Sequence, residues 1–445
     1  MKFKMLNKKR FLQFATITTL SAATLLLANC GGGGGSSSDD PATDTQTSKT
    51  DVVKNYADIA FAAFSDSSTT AIALHDAIDV FVGTPTEANL TLAKQAWLAA
   101  RVPYGQVEAY RFGNSNVDDW EGRTNSWPLD EGLIDYVDTS YSSTIGNAFG
   151  LENVIADIGT YPTIDATLLR DTLHEAASEE ANVATGYHSI EFLLWGQDLN
   201  ASPGDSGQRR ATDFNTNACT NGNCDRRSTY LQVAADVLVA DLQEMVDDWD
   251  ESQTGNYREA LLAEDADVGL RRMLRGMGEM SLGELASERM LVGLAAHDQE
   301  EEHSCFSDNT HVDVVENARG VRNVYTGQYT RIDGSVVSGP SLSDLVAESD
   351  VDLDTNLNNA LDASMDAVNA IADKVTDATA PEKYDQQIGA GNTEGNARVK
   401  AAVDALVAQT PFIEQAAAAL GITGLGIDPG SCFNPDGSDN GSCNL

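Results

Sequence analysis

Apolar residues at helical spacing run through most of this chain. Leu231, Leu238, Leu242, Met245 and Trp249 follow one another at steps of seven, four, three and four. Leu357, Leu361, Met365, Val368, Ile371 and Val375 recur at steps of four or three, with acidic residues between them. Such spacing gathers each set on one face of a helix and leaves the other face to water. Alanine-rich stretches such as "ARVKAAVDALVAQ" are strong helix formers. Alternating strand patterns are scarce; "GQYTRIDGSVVSG", residues 327–339, reads as a small hairpin around Asp333-Gly334. The expected fold is all-α, made of packed helical bundles with long ordered loops and at most a small β-hairpin.

Long connections are expected at 112–140, 196–227 and 304–350. In a compact helical protein such lengths are functional or locally ordered rather than plain links. Of the 445 residues, 51–225 are assigned to a first bundle, 226–425 to a second and 426–445 to a tail.

The N-terminus points to export. "MKFKMLNKKR" is basic, and an apolar, hydroxylic run follows it to "LLLANC" at Cys30. Residues 1–29 thus read as a secretory signal, too short and Thr-rich for a comfortable membrane span. The Leu-Ala-x-Cys ending resembles the bacterial lipobox, although Asn29 stands where a small residue is usual. Cys30 is then the expected lipidation site and the membrane contact would be that anchor alone. The alternative is cleavage to a free soluble protein. Residues 30–50, with "GGGGGSSSDDPATDTQTSKT", read as a flexible tether.

A net charge of −40 argues against nucleic acid and against anionic lipid as partners. Two closely spaced cysteine pairs, Cys219 with Cys224 and Cys432 with Cys443, read as local disulfides in an exported protein. Cys305 is left over and is expected to be a buried free thiol, with metal ligation as the alternative. The tail's "NPDGSDNGS" is oxygen-rich but lacks the distal Glu of a calcium loop.

The chemistry concentrates in two places. "ATGYHSIEFLLWGQDLN" sets His188 and Glu191 three apart in an apolar, aromatic run, in a chain with six histidines. Positions i and i+3 share a helix face, so both side chains can address one ion, with Gly186 leaving room for a neighbouring backbone. Imidazole plus carboxylate suits iron, zinc or manganese rather than calcium or magnesium. "DQEEEHSCFSDNTHVD" is the second cluster and, like His188-Ser189, contains a His-Ser step. Its His303 and Asp308 are candidate further ligands, the solvated-face reading applying to most of its glutamates. Glu108 is another candidate, on a helix where Lys94, Arg101 and Glu108 repeat at sevens; surface charge is the alternative there. Glu284, Glu288 and Arg289 read as helix–helix salt bridges.

"GYHSIEFLLWG" matches the G-x-H-x-x-E signature of the imelysin-like family, with its trailing aromatic-Leu-Leu-Trp-Gly. "AKQAWLAARVPYGQVEAYRFGNSNVDDWEGRTNSWPLDEGLIDYV", "RRSTYLQVAADVLVADLQEMVDDW", "GMGEMSLGELASERMLVGL" and "QEEEHSCFSDNTHVD" resemble its iron-regulated branch, over roughly residues 55–425. The resemblance implies an all-α fold of two related helical bundles packed as a pseudo-symmetric pair, an exported and often lipid-anchored protein, a link to iron acquisition and a site between the halves around His188 and Glu191. The family is also filed among metallopeptidases.

Zinc peptidases need three protein ligands, an open position and a general base. Neither H-E-x-x-H nor H-x-x-E-H is met here, because Ser189 follows His188 and Phe192 follows Glu191; no G-x-S-x-G elbow is present either. The expected function is therefore a lipoprotein at the outer membrane, periplasm-facing or at the cell surface. It would bind a metal ion or metal chelate, iron or another transition metal with zinc included, alongside an outer-membrane uptake system. Metallopeptidase, or a scaffold or receptor accessory knit together by His188 and Glu191, are the alternatives.

Overall fold

The computed structural model describes residues 46–199, 206–434 and 437–443, and over these the chain is largely helical. The secretory segment, Cys30 and all but the end of the tether lie outside the described residues. Helix α1 (Lys49–Gly83) opens on Ser48, whose hydroxyl accepts from the Asp51 amide. Helix α2 (Glu87–Val107) is capped likewise by Thr86, carries Pro103 inside it and tightens into a 3₁₀ turn at Glu108–Tyr110. Next come α3 (Ser115–Asn125), α4 (Glu131–Ile134), the signature helix α5 (Gly186–Trp195) and the long α6 (Cys224–Trp249).

Helix α7 (Tyr257–Ala263) leads into one extended helical run. Its parts are α8 (Ala266–Glu279), a π-helical stretch (Met280–Leu291) and α9 (Val292–Ala296). Then follow α10 (Thr310–Thr326), α11 (Leu342–Ser349), α12 (Val351–Val375), α13 (Tyr384–Ile388) and α14 (Thr393–Ala419). Strands β1 (Gln328–Thr330) and β2 (Val336–Ser338) pair antiparallel, Tyr329 opposite Val337, so the expected hairpin is there.

Two of the expected loops hold helices. Residues 112–140 contain α3, whose Val117, Trp120 and Thr124 face inward among acidic neighbours that hide the period. Residues 304–350 contain α10 and α11, the latter closed by a capping box between Ser341 and Asp344.

Packing follows the apolar faces. α1 lies against α2 and α6, α12 against α14, and α10 against both α2 and α12, so α10 ties early and late segments together. The position expected as a boundary, near residue 225, falls at the start of α6, which packs on α1 and α5. Tyr56, Phe64, Tyr110, Trp120 and Trp249 form a connected aromatic cluster with ring centroids 5.0–6.1 Å apart. Burying side chains of this size stabilises by roughly 2–3 kcal/mol each before entropy is counted. Cys219 bonds Cys224 at the start of α6, and Cys432 bonds Cys443 across the tail. Cys305 is a buried free thiol. Among the described residues no helix is long and apolar enough to cross a membrane.

Candidate functional site

The signature helix starts under tight constraint. Gly186 has φ 82°, and a Cβ there would stand 2.5 Å from the carbonyl oxygen of Thr124. Only glycine fits so close an approach in that conformation. Thr185 Oγ1 donates to the Arg123 carbonyl at 2.8 Å, fastening α5 to the end of α3.

His188 and Glu191 are both fully buried. Their spacing lets them bond each other: His188 Nδ1 lies 2.8 Å from Glu191 Oε2. The other carboxylate oxygen accepts from the amide and hydroxyl of Ser307, at 3.0 and 2.6 Å. Glu191 therefore holds His188 in place; both of its oxygens already have hydrogen-bond partners. His188 Nε2 has no hydrogen-bond partner. Burial, then the charges of His303 and Arg101, push the His188 imidazole well below its ordinary value, so the ring is neutral. Burial also drives the Glu191 carboxyl up to about 8, against the pull of Ser307 and Arg101.

His303 comes from the segment before α10 and meets His188 edge to face, ring centroids 4.7 Å apart. Its Nδ1 is 3.2 Å from Asp313 Oδ2, and Asn125 Nδ2 approaches its Nε2 at 3.4 Å. Asp313 also accepts from Ser304 and, through Oδ1, from Arg101 Nε and Nη2 at 3.0 and 2.9 Å. Arg101 lies among the rings of Trp97, Tyr104 and Tyr187, 5.1–5.6 Å from their centroids. This cage overcomes the desolvation of Asp313 and holds its carboxyl far below the carboxylate range.

Glu108 belongs to the same network but is not positioned as a ligand. Arg289 grips it with two bonds, Nη2 to Oε1 at 2.7 Å and Nη1 to Oε2 at 2.8 Å. Asn125 and Asn317 fill its remaining sites at 2.8 and 2.6 Å. Burial alone would raise this carboxyl; Arg289 brings it down to about 2. The surface-charge alternative fails too, because Arg101 and Glu108 are 0% and 2% exposed. Arg289 also donates to Glu284 Oε1 at 2.9 Å. That pair is five residues apart, which the π-helical register of Met280–Leu291 brings over one another. Glu288 instead accepts from Ser431 of the tail.

Asp308 is buried at φ 56° in the turn before α10, its carbonyl accepting from His311 Nδ1 at 3.2 Å. Burial, then the charges of Asp385 and Asp308, push the Glu302 carboxyl well above its ordinary value. Among the described residues, no group of three or more His, Cys, Asp and Glu side chains is arranged to hold a metal ion. The reason is on view: Glu108, Glu191 and Asp313 are already bound to Arg289, to His188 and Ser307, and to Arg101.

A cavity of about 660 Å³ opens in front of His303. Asn125, Ser126, Trp127 and His303 belong to its wall, together with Asp118, Asp119, Glu121, Glu284, Glu288 and Arg289. His188 is not part of that wall; its ring lies 5.2 Å from that of Trp127. No spacing in the chain singles out Asn125, Trp127 or Ser307; Asp313 stands out there only as one acid of a dense cluster.

A family profile described as Peptidase_M75, Imelysin, matches residues 60–411. The chain is 25% identical to "Iron-regulated protein A" of Synechococcus elongatus over 272 residues, 59% of this chain and 60% of that protein. It therefore spans about 60% of the length of that relative. The crystal structure of an iron-regulated protein A precursor from Parabacteroides distasonis superposes with a TM-score of 0.63 at 20% identity, covering 86% of this chain and 98% of the other. An imelysin-like protein from Psychrobacter arcticum gives 0.55 at 14% identity, over 84% and 96%. These likenesses share the all-α architecture, and the match of the profile over most of the sequence fixes the assignment: this chain belongs to the imelysin family.

Proposed function

We propose that this protein is exported, anchored to the outer membrane through a lipid on Cys30, and binds a metal ion or metal chelate for iron uptake, with His188 as the donor. The basic, apolar N-terminal segment supports export. The likeness to two iron-regulated proteins, one of them a precursor, supports the link to iron. The observation that carries the reading is the unpartnered Nε2 of His188, on a ring whose Nδ1 is fixed by Glu191. A glutamate on one nitrogen of an imidazole orients the other, and a metal binding at Nε2 would release the proton that the buried pair holds at neutral pH. Most buried polar atoms that serve structure alone find a partner.

The residues present fit a cargo that brings most of its own ligands. They supply one open nitrogen, while His303, Glu191 and Glu108 are engaged elsewhere. Water or a chelator would complete the coordination, and an uptake system in the outer membrane would be the partner. The peptidase reading, which the profile's description raises, needs three protein ligands and a base near bound water; the carboxylates that could serve are held by Arg101, Arg289 and Ser307.

Titrating the protein with iron and zinc salts, beside His188→Ala and Glu191→Ala, tests the proposal. Loss of one equivalent in His188→Ala is expected. Unchanged stoichiometry in both variants ends it, and chelator-sensitive peptide hydrolysis that His188→Ala abolishes would put the peptidase in its place.

A further inference from the structure

A second cavity, of about 310 Å³, lies at the C-terminal end of the signature helix. Its wall includes Tyr136, Trp195, Gly196, Leu199 and Arg209. Trp195 is the last residue of α5, and Gly196 caps it. Small-molecule sites are hollows of roughly 300–1000 Å³, mostly apolar, in which a few polar groups fix the ligand. This one stands at the small end of that range.

Arg209 is the polar group that sets the hollow apart. The residue is only 7% exposed, and its guanidinium lies 5.0 Å from the ring centre of Tyr136 and 5.2 Å from that of Phe192. Nη1 donates to Asp135 at 2.6 Å, and Asp213 stands 3.7 Å from it. Asp135 is shared, because Arg227 Nε also donates to it at 2.6 Å. Nε of Arg209, on the other edge of the guanidinium, has no hydrogen-bond partner. Beside it Gly196, at φ 75°, leaves space: a Cβ there would stand 3.5 Å from Nε. Arg209 lines the cavity, and so do Tyr136 and Gly196 on either side of its guanidinium, so the bare N–H faces the hollow.

Other polar groups of the wall are occupied. Asp138 accepts from the amide and hydroxyl of Ser140 at 2.9 and 2.7 Å. Gln197 Oε1 accepts from the Asp138 amide at 2.6 Å, and Gln208 Nε2 donates to the Ser206 carbonyl at 2.7 Å. Lys94 is not part of the wall, but its ammonium lies 5.1 Å from the Trp195 ring centre and adds positive charge nearby. Burial, resisted by Glu87, brings it down to about 8, which leaves it a cation at neutral pH.

We propose that this cavity binds a small organic monocarboxylate with a flat, apolar body, its carboxylate accepting from Nε of Arg209 and its body lying among Tyr136, Trp195 and Leu199. The proposal does not depend on the reading of His188. A buried donor without an acceptor destabilises the fold, and an acceptor entering the hollow would relieve that. An anionic oxygen makes a shorter and stronger bond to a guanidinium than a neutral one does. Aromatic walls offer such a ligand broad apolar contact.

Benzoate is the probe, titrated calorimetrically into the full chain beside benzamide, which keeps the ring without the charge, and acetate, which keeps the charge without the ring. One equivalent of benzoate should bind, and both comparators about tenfold or more weakly, the loss of one charge-assisted hydrogen bond or of the ring contacts. Arg209→Lys keeps a cation near Asp135 but removes Nε and should weaken benzoate by a similar factor. Leu199→Asp leaves the Asp135 network intact and carries the test should Arg209→Lys fail to fold. It puts a negative charge in the wall at a residue 60% exposed, and Val351→Asp makes the same change at one 63% exposed on α12. Leu199→Asp should lose benzoate and Val351→Asp should bind it as the parent does. The proposal is overturned if the parent binds no benzoate, if benzamide binds as tightly as benzoate, or if Leu199→Asp and Val351→Asp bind it alike.

Discussion

His188 and His303, from segments far apart in the chain, bring their imidazoles edge to face at 4.7 Å. Of the two, His303 is tied at both nitrogens, to Asp313 and Asn125, and His188 at one only, to Glu191. The asymmetry assigns them different work. His303 lines the cavity, and His188 is the donor that the proposed metal binding would use.

Glu191 acts through His188, so its removal should loosen the ring rather than abolish the nitrogen. Glu191→Gln is expected to weaken metal affinity about 10- to 100-fold with stoichiometry retained. Ser307→Ala, which removes one of the donors holding Glu191, should fall in the same direction by less. Calorimetric titration of both variants checks this; an unchanged affinity in Glu191→Gln would show that His188 needs no orienting partner.

Glu108 and Arg289 form a buried ion pair whose members depend on each other. Breaking such a pair by removing one partner costs about 3–5 kcal/mol, because the remaining charge stays buried. Glu108→Ala should lose that much in urea unfolding and keep its metal stoichiometry. Loss of metal at unchanged stability would return Glu108 to the ligand set.

Gly186 is held by the Thr124 carbonyl. Gly186→Ala would combine a strained backbone with a contact of 2.5 Å and should destabilise by about 2–5 kcal/mol. Thermal unfolding reads the loss. A melting temperature equal to the parent's would mean that α5 and α3 can separate freely.

Glu131 supplies a pH test away from the histidines. Burial, helped by Glu300, pushes its carboxyl up to about 7, above the ordinary 4.5. A group raised on folding stabilises below its unfolded pKa and loses that contribution as pH rises through the folded value. Between pH 4.5 and 7 the parent should therefore lose a few kcal/mol that Glu131→Gln does not. The melting temperature of the variant relative to the parent should climb over that window; a flat difference would contradict the assignment.

The fold was legible because its signals are periodic. Leu357 to Val375 mark the inner face of α12 by spacing alone, and the Asp333-Gly334 turn announces its hairpin. Helix α3 was not, since Val117 and Trp120 are too few apolar residues among acids to show a period. At the site, Gly186, His188 and Glu191 stand out because their spacing is short and local. The grip of Arg289 on Glu108 is long-range, joining α2 to the π-helical stretch, and nothing in either segment names the other. For the same reason Glu108 could be read as a ligand from sequence: a buried carboxylate looks alike whether a metal or a guanidinium awaits it. Three-residue spacing places His188 and Glu191 on one helix face, where the two side chains bond each other.

The most direct measurement is diffraction from crystals soaked with Fe(II) and recorded on both sides of the iron absorption edge. The account predicts an anomalous peak bonded to Nε2 of His188, about 2 Å away, and none there in His188→Ala. Iron found only on other groups, with that nitrogen bonded to none, would contradict it.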